Sequence, residues 1–232
     1  NFAIPFSPDD ISDLICWYNS SEGITKNGSD LVSQWNNFEG TSGRDLVQAT
    51  ASDKPTFLSD GGSTSENPAV DFTGGSIMQI DYGESFNQAY TMCSACYVPA
   101  NDSNERILFD GGETGATPGS LRAYFGKMDS ANAFRIRTDT NVNFTQSGIV
   151  GTWIYVIILY DGADSYVRMN GSEVATGNPG TDALQPLTLG QFIDGSSAQS
   201  WNEPIMHFLI YDKELDADEI EDIESWLSDQ IG

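Results

Sequence analysis

The residues whose types and spacing could do chemistry begin with "ELDADE", Glu214 to Glu219. Two carboxylates that flank a glycosidic bond about 5–5.5 Å apart can act as nucleophile and acid/base. Glu214 and Glu219, with Asp216 between them, supply the right groups. The geometry needs a strand that turns alternate acids toward one cleft. This segment instead follows the last apolar run and opens "LDADEIEDIESWLSDQIG" (215–232), which reads as an amphipathic helix over about 216–230. Asp216 is then its N-cap, with Glu219 completing a capping box. Ile220, Ile223 and Leu227 fall on one face, and the acids of the first turn suit the helix dipole. On that reading the carboxylates hold a helix end, and no catalytic residue is assigned.

Four further sets of residues carry groups that could do chemistry. His207 is the only histidine, so a Ser-His-Asp triad would have to use it. In "IMHFLIY" it sits on an apolar strand, and the sequence has no G-x-S-x-G elbow. Asp-Gly pairs at 60–61, 110–111, 161–162 and 194–195 place carboxylates beside loop carbonyls, notably in "FDGGET" (109–114) and "DGAD" (161–164). Asp110, Asp161 and Asp164 are the candidate ligands of a Ca²⁺ ion, which takes six to eight oxygens. The alternative is ordinary hairpin turns. Among the five tryptophans, Trp17, Trp35, Trp153 and Trp226 lie in alternating apolar runs. Trp201, in "AQSWNEP", has polar neighbours and is, of the five, the candidate for an exposed ring and a platform for a sugar; core packing is the commoner alternative for it too. Cys93 and Cys96 form a C-x-x-C, but within the strand-like "AYTMCSACYV" they point to opposite faces; with Cys16 they read as buried small side chains.

These residues are carried by a series of strand-like runs separated by Gly, Asp, Asn and Pro clusters. The runs are 13–19, 29–37, 67–74, 76–82, 89–98, 105–111, 120–127, 133–138, 153–162 and 205–213, with a hairpin over 165–177 turned by Asn170-Gly171. "WIYVIILYDG" is apolar on both faces, as a central strand is. In "SDLVSQWNN", Leu31, Ser33 and Trp35 are expected on one face, which makes Trp35 a sheet anchor. A helical turn is expected at "SPDDIS" (7–12). No linker or repeat divides the chain, so one domain over 1–232 is expected. The fold class is all-β: a two-sheet antiparallel β-sandwich of jelly-roll type with a C-terminal amphipathic helix.

Composition narrows the function. The 232 residues carry 34 acidic and 10 basic side chains, a net charge of −24. A nucleic-acid groove needs a cationic stripe, and an anionic membrane repels the same charge, so neither partner is expected. Self-repulsion of this size is best tolerated where salt screens it, which suits a saline or marine setting or cation-rich surroundings; simple solubility is the alternative reading of the same charge. The first ten residues have no basic or long apolar stretch of a secretory leader.

Three stretches together resemble concanavalin A-like, laminin-G-like domains found in phage structural proteins and bacterial surface or secreted proteins. They are "FSPDDISDLICWYNSSEGI" (6–24), "VSQWNNFEGTSGRDLVQATASDKPTF" (32–57) with "NPAVDFTGG" (67–75), and "IMHFLIYDKELDADEIEDIESWL" (205–227). The family often has Asp at Asn19 and Asn37, Glu at His207 and Gly at Asp13. "ELDADE" also resembles the E-x-D-x-x-E signature of laminarinase-like glucanases. The resemblance is specific for fold and not for function. It implies a non-catalytic module, either a virion-exposed, decoration or tail-associated protein of a marine-type phage, or an extracellular carbohydrate-binding module or lectin, with Ca²⁺ assisting. An endoglycanase is the third reading. The expected partners are other virion proteins, copies of this chain or surface glycans, and the expected location is a virion or the extracellular space.

Overall fold

The computed structural model describes residues 5–39, 43–61, 67–101, 103–112, 123–129, 132–193 and 197–232. They form two antiparallel sheets and one long helix. The helix-bearing sheet runs, in spatial order, β15 (Ser172–Thr176), β14 (Tyr166–Met169), β13 (Trp153–Tyr160), β8 (Tyr90–Tyr97), β17 (Pro204–Tyr211), β6 (Ala69–Asp71) and β5 (Thr56–Leu58). β1 (Leu14–Asn19) pairs along the remainder of β17. The opposite sheet runs β12 (Asn141–Thr145), β11 (Ala133–Arg137), β10 (Tyr124–Lys127), β9 (Arg106–Asp110), β16 (Leu187–Leu189), β7 (Met78–Ile80), β4 (Leu46–Val47), β3 (Val32–Trp35) and β2 (Ile24–Lys26). The expected all-β sandwich is the observed fold.

Alternation builds the core. In the opposite sheet, Ile136, Phe125, Phe109, Leu189, Leu46 and Trp35 form an inward layer. It meets Tyr18, Val156, Ile158, Tyr160 and Phe208 from the helix-bearing sheet. Each fully buried side chain of this kind is worth about 1.5–3 kcal/mol of transfer free energy. The outward layer of the opposite sheet is mostly polar: Asn141, Arg137, Tyr124, Asp110, Thr188, Gln79, the exposed Val47 and Gln34 succeed one another in register.

The helix-bearing sheet has no polar face at its centre, because a second apolar layer covers it. α1 (Ala217–Ile231) lays Ile223 and Leu227 over Cys93, Ile157 and Leu209. All eight residues of β17 are therefore buried. The C-x-x-C splits as expected: Cys93 faces the helix and Cys96 the inter-sheet core, and all three cysteines are free and buried. Burial pushes the Cys16 and Cys96 thiols up to about 12, so they are not poised as nucleophiles.

At one margin the two sheets are hydrogen-bonded into each other. Val32 N–H donates to the Pro55 carbonyl at 2.8 Å, and Phe57 N–H donates to that of Asp30 at 2.8 Å. Leu31 and Thr56 form a bridge between them. At the other margin Val142 of β12 packs against Gly177, just beyond β15.

The structure also departs from expectation. β2, β4, β5, β12 and β16 were not among the strand-like runs; β2, β4, β5 and β16 are two or three residues long and too short to show a period, whereas β12 does alternate, with Val142 and Phe144 half-buried between exposed polar residues. Val32 and Trp35 are the buried residues of β3, not an alternating Leu31, Ser33 and Trp35, because the register slips at Thr25/Lys26. Asp13, where the family often has Gly, has φ 64°, the left-handed region that Gly adopts without strain.

Candidate functional site

A cleft of about 470 Å³ lies where the start of α1 meets the β14–β15 hairpin, within the roughly 300–1,000 Å³ typical of small-molecule sites. Its floor is Leu215, Ala217 and Ile220, and its walls are Tyr166, Arg168, Glu173, Glu214 and Asp216.

The hairpin sets one wall. Asn170 and Gly171 adopt φ 47° and 79°, so the chain reverses in two residues and Arg168 stands opposite Glu173. The Asn170 carboxamide oxygen accepts from Tyr155 N–H at 3.1 Å and pins the turn to β13. Arg168 reaches across to the helix: Nε donates to Glu224 Oε1 at 2.8 Å and Nη2 to Glu224 Oε2 at 3.1 Å. Nη2 also donates to the Gly171 carbonyl at 3.0 Å. This two-pronged pair holds the guanidinium's pKa above its usual value and fixes its plane.

The helix start sets the other wall. The Asp216 carboxylate accepts from Asp218 and Glu219 N–H, each at 3.0 Å. Glu219 Oε2 accepts from Asp216 N–H at 2.9 Å, and its Oε1 from Lys213 Nζ at 2.6 Å. The capping box read from the sequence is therefore present, and α1 runs one residue past the expected 216–230 at its C-terminal end. Glu219 is held by these contacts, while Glu214 is an exposed carboxylate on the cleft. Between the walls, the Tyr166 hydroxyl is buried without a hydrogen-bond partner. Burial first, and the Glu214 charge second, push this phenol up to about 12, so it is a neutral donor at ordinary pH.

The other sequence candidates fall elsewhere. Trp201 is corrected: its ring is 0% exposed and lies in the inter-sheet core, tilted at 45° against Phe125 with centroids 6.3 Å apart. Its polar neighbours misled because backbone geometry, not flanking polarity, decides its direction. The backbone N–H of Trp201 donates to the Gly190 carbonyl at 2.6 Å and fixes the main chain there. Gly190, at φ 92°, leaves room there for the Phe72 ring; a Cβ would come within 2.2 Å of it. Asp110 is fully buried on β9, where Gly112 N–H donates to Oδ1 at 3.1 Å and Ile193 N–H to Oδ2 at 2.9 Å. Asp161 and Asp164 bracket a 3₁₀ turn after β13, in the other sheet. The three carboxylates are not gathered into one centre. Among the described residues no group of three or more His, Cys, Asp or Glu is placed to hold a metal ion. Asp194, Gly195 and the "ET" of "FDGGET" lie outside the described residues. His207 is a buried strand residue whose ring packs 4.7 Å from that of Trp226.

Sequence reasoning missed Tyr166, Arg168 and Glu173. Arg-Met-Asn-Gly-Ser-Glu around a two-residue turn does announce a cross-strand Arg–Glu pair. Nothing local announces that the helix start, some forty positions later, closes over it. A smaller cavity of about 290 Å³ lies on the opposite sheet against Val47, Gln79 and Pro186.

A family model described as the Concanavalin A-like lectin/glucanases superfamily matches residues 72–221, well over half the chain and including every polar wall residue of the cleft. No curated protein sequence matches. Among solved structures, Trypanosoma rangeli sialidase superposes with a TM-score of 0.64 at 15% identity, over 96% of this chain and 34% of that one. The same sialidase in complex with the inhibitor DANA gives 0.65 at 14% identity, over 99% and 36%. This chain thus spans about a third of the sialidase's length. Domain 4 of AbnA, a GH43 extracellular arabinanase from Geobacillus stearothermophilus, in complex with arabinotriose, gives 0.58 at 14% identity, over 91% and 98%. At these identities the likeness is one of fold.

Proposed function

The chain belongs to the Concanavalin A-like lectin/glucanases superfamily, and from that premise we propose that it is a non-catalytic carbohydrate-binding module whose glycan lies in the cleft at the head of α1. The observation that carries this reading is the cleft's chemistry. An aromatic ring, Tyr166, and the aliphatic floor of Leu215 and Ile220 suit the C–H faces of a sugar. Arg168, Glu173 and Glu214 offer planar donors and acceptors for its hydroxyls. The arabinanase domain, which matches nearly end to end, is a protein of this fold in complex with a trisaccharide, and it supports the assignment without naming the sugar.

A non-catalytic role fits the carboxylates. Asp216 and Glu219 are engaged in the capping box. Glu214 and Glu173 are both exposed and stand on opposite walls of the cleft. The location, extracellular or on a virion or phage tail with other virion proteins or its own copies as partners, is a proposal resting on acidity and sequence resemblance. Co-purification with particles tests it.

Titration calorimetry with arabinotriose and a panel of neutral oligosaccharides tests the binding reading. Binding should weaken about tenfold or more in Tyr166→Ala and Glu214→Gln, a loss of about 1.4 kcal/mol. Absence of binding across the panel, or full affinity in both variants, would overturn it. Release of reducing ends that disappears in Glu214→Gln would overturn the non-catalytic part alone.

A further inference from the structure

We infer that the cleft selects a positively charged sugar, an oligosaccharide of unacetylated amino sugars, over neutral and acidic ones. The inference rests on the glycan-binding reading and deepens it. Four charged side chains line the cleft: Glu173, Glu214, Asp216 and Arg168. Arg168 is the cation that an acidic sugar would need, but its charge is already matched by the bidentate pair with Glu224 at 2.8 and 3.1 Å. Three carboxylates remain, in a chain whose net charge is −24. Asp216 is partly satisfied by the two helix N–H groups at 3.0 Å. Glu214 has no such partner, and Glu173, on the opposite wall, stands across from Arg168, whose two-pronged bonds go to Glu224 instead.

Two further features separate an organic cation from other occupants. No cluster among the described residues is arranged to hold a metal ion, so the negative potential is not already assigned to one. The Tyr166 hydroxyl is buried beside the cleft with no hydrogen-bond partner. Burial first and the Glu214 charge second hold this phenol in its neutral form, so it adds no charge of its own to the cleft. An ammonium held between Glu173 and Glu214 would gain from both, and a sugar carboxylate in the same place would meet like charge from three sides. The selectivity should be screened by salt, since Glu214 and Glu173 are exposed.

The test compares a glucosamine trisaccharide, its N-acetylated counterpart and sialyllactose by calorimetry on the intact protein, at low and at high NaCl. The glucosamine trisaccharide should bind about tenfold tighter than the N-acetylated one, equivalent to about 1.4 kcal/mol. Sialyllactose should bind more weakly than either. The gap should narrow with salt and close in the double variant Glu173→Gln/Glu214→Gln, whose folding is checked by its melting curve. Equal affinity for both trisaccharides, lost in Tyr166→Ala, would overturn the charge selection and leave the glycan reading standing. Amino-sugar binding unchanged in the double variant would also overturn it, by assigning the attraction to the diffuse charge of the chain. Binding of no oligosaccharide at all would overturn both.

Discussion

His207 offers a direct test of how the helix is held on its sheet. The imidazole is 1% exposed on β17, against Trp226 of α1, and neither ring nitrogen has a hydrogen-bond partner. Burial lowers its pKa from 6.5 to about 3; Gln230 opposes the shift without reaching hydrogen-bonding geometry. The sign follows from proton binding. Between these two values the unfolded chain binds a proton on this residue and the folded chain does not, so stability rises with pH across the window. The contribution is complete above 6.5 and is lost as the pH falls toward about 3. The slope is about 1.36 kcal/mol per pH unit, which gives about 5 kcal/mol over the whole window and about 3 between pH 6.5 and 4. The carboxylates titrate in the same range, so the measurement must be differential. Urea unfolding of the native protein and of His207→Leu, at pH 7, 5.5 and 4, isolates the term because the acids are common to both. The stability difference, native minus variant, should fall by about 3 kcal/mol on going from pH 7 to 4. Parallel stability curves would refute the account of His207 as a neutral ring enclosed by the helix.

Trp201→Ala should cost about 3–5 kcal/mol in urea unfolding, as an emptied core site does, and leave sugar affinity intact in the protein that remains folded; a lost affinity with no lost stability would contradict its core placement. Asp216→Ala should lower stability by about 1 kcal/mol through the missing cap, read as a lower denaturation midpoint with an unchanged slope. Glu203, whose carboxyl is raised to about 7 first by burial and then by Asp71, is strained by ionisation as pH rises from 4.5 to 7. Glu203→Gln should therefore stabilise the protein at pH 8 by about 1 kcal/mol, allowing for screening of a half-exposed group, and have little effect at pH 4.

The longest runs were legible because their patterns survive without context. β13 is apolar on both faces and β17 nearly so, and both stand at the centre of the sheet with α1 over them. The capping box at Asp216 was equally plain, since it involves residues three positions apart. β4 and β16, two and three residues long, could not be read: their pairing is imposed by β7 and β9, not by local propensity. Trp201 shows the limit of reading burial from neighbours, because its direction is set by a contact with Gly190 eleven positions away. The cleft shows a second limit. Glu173 and Glu214 line the same cleft from segments some forty positions apart, and no local pattern joins them.

The margin where Val32 bonds to Pro55 and Phe57 to Asp30 has a mechanical meaning. A sandwich whose sheets touch only through side chains can slide apart or accept a foreign strand along an open border. Here part of that border is stitched through the main chain, so the sheets must come undone together along it. An extended peptide would find those N–H and carbonyl groups already occupied.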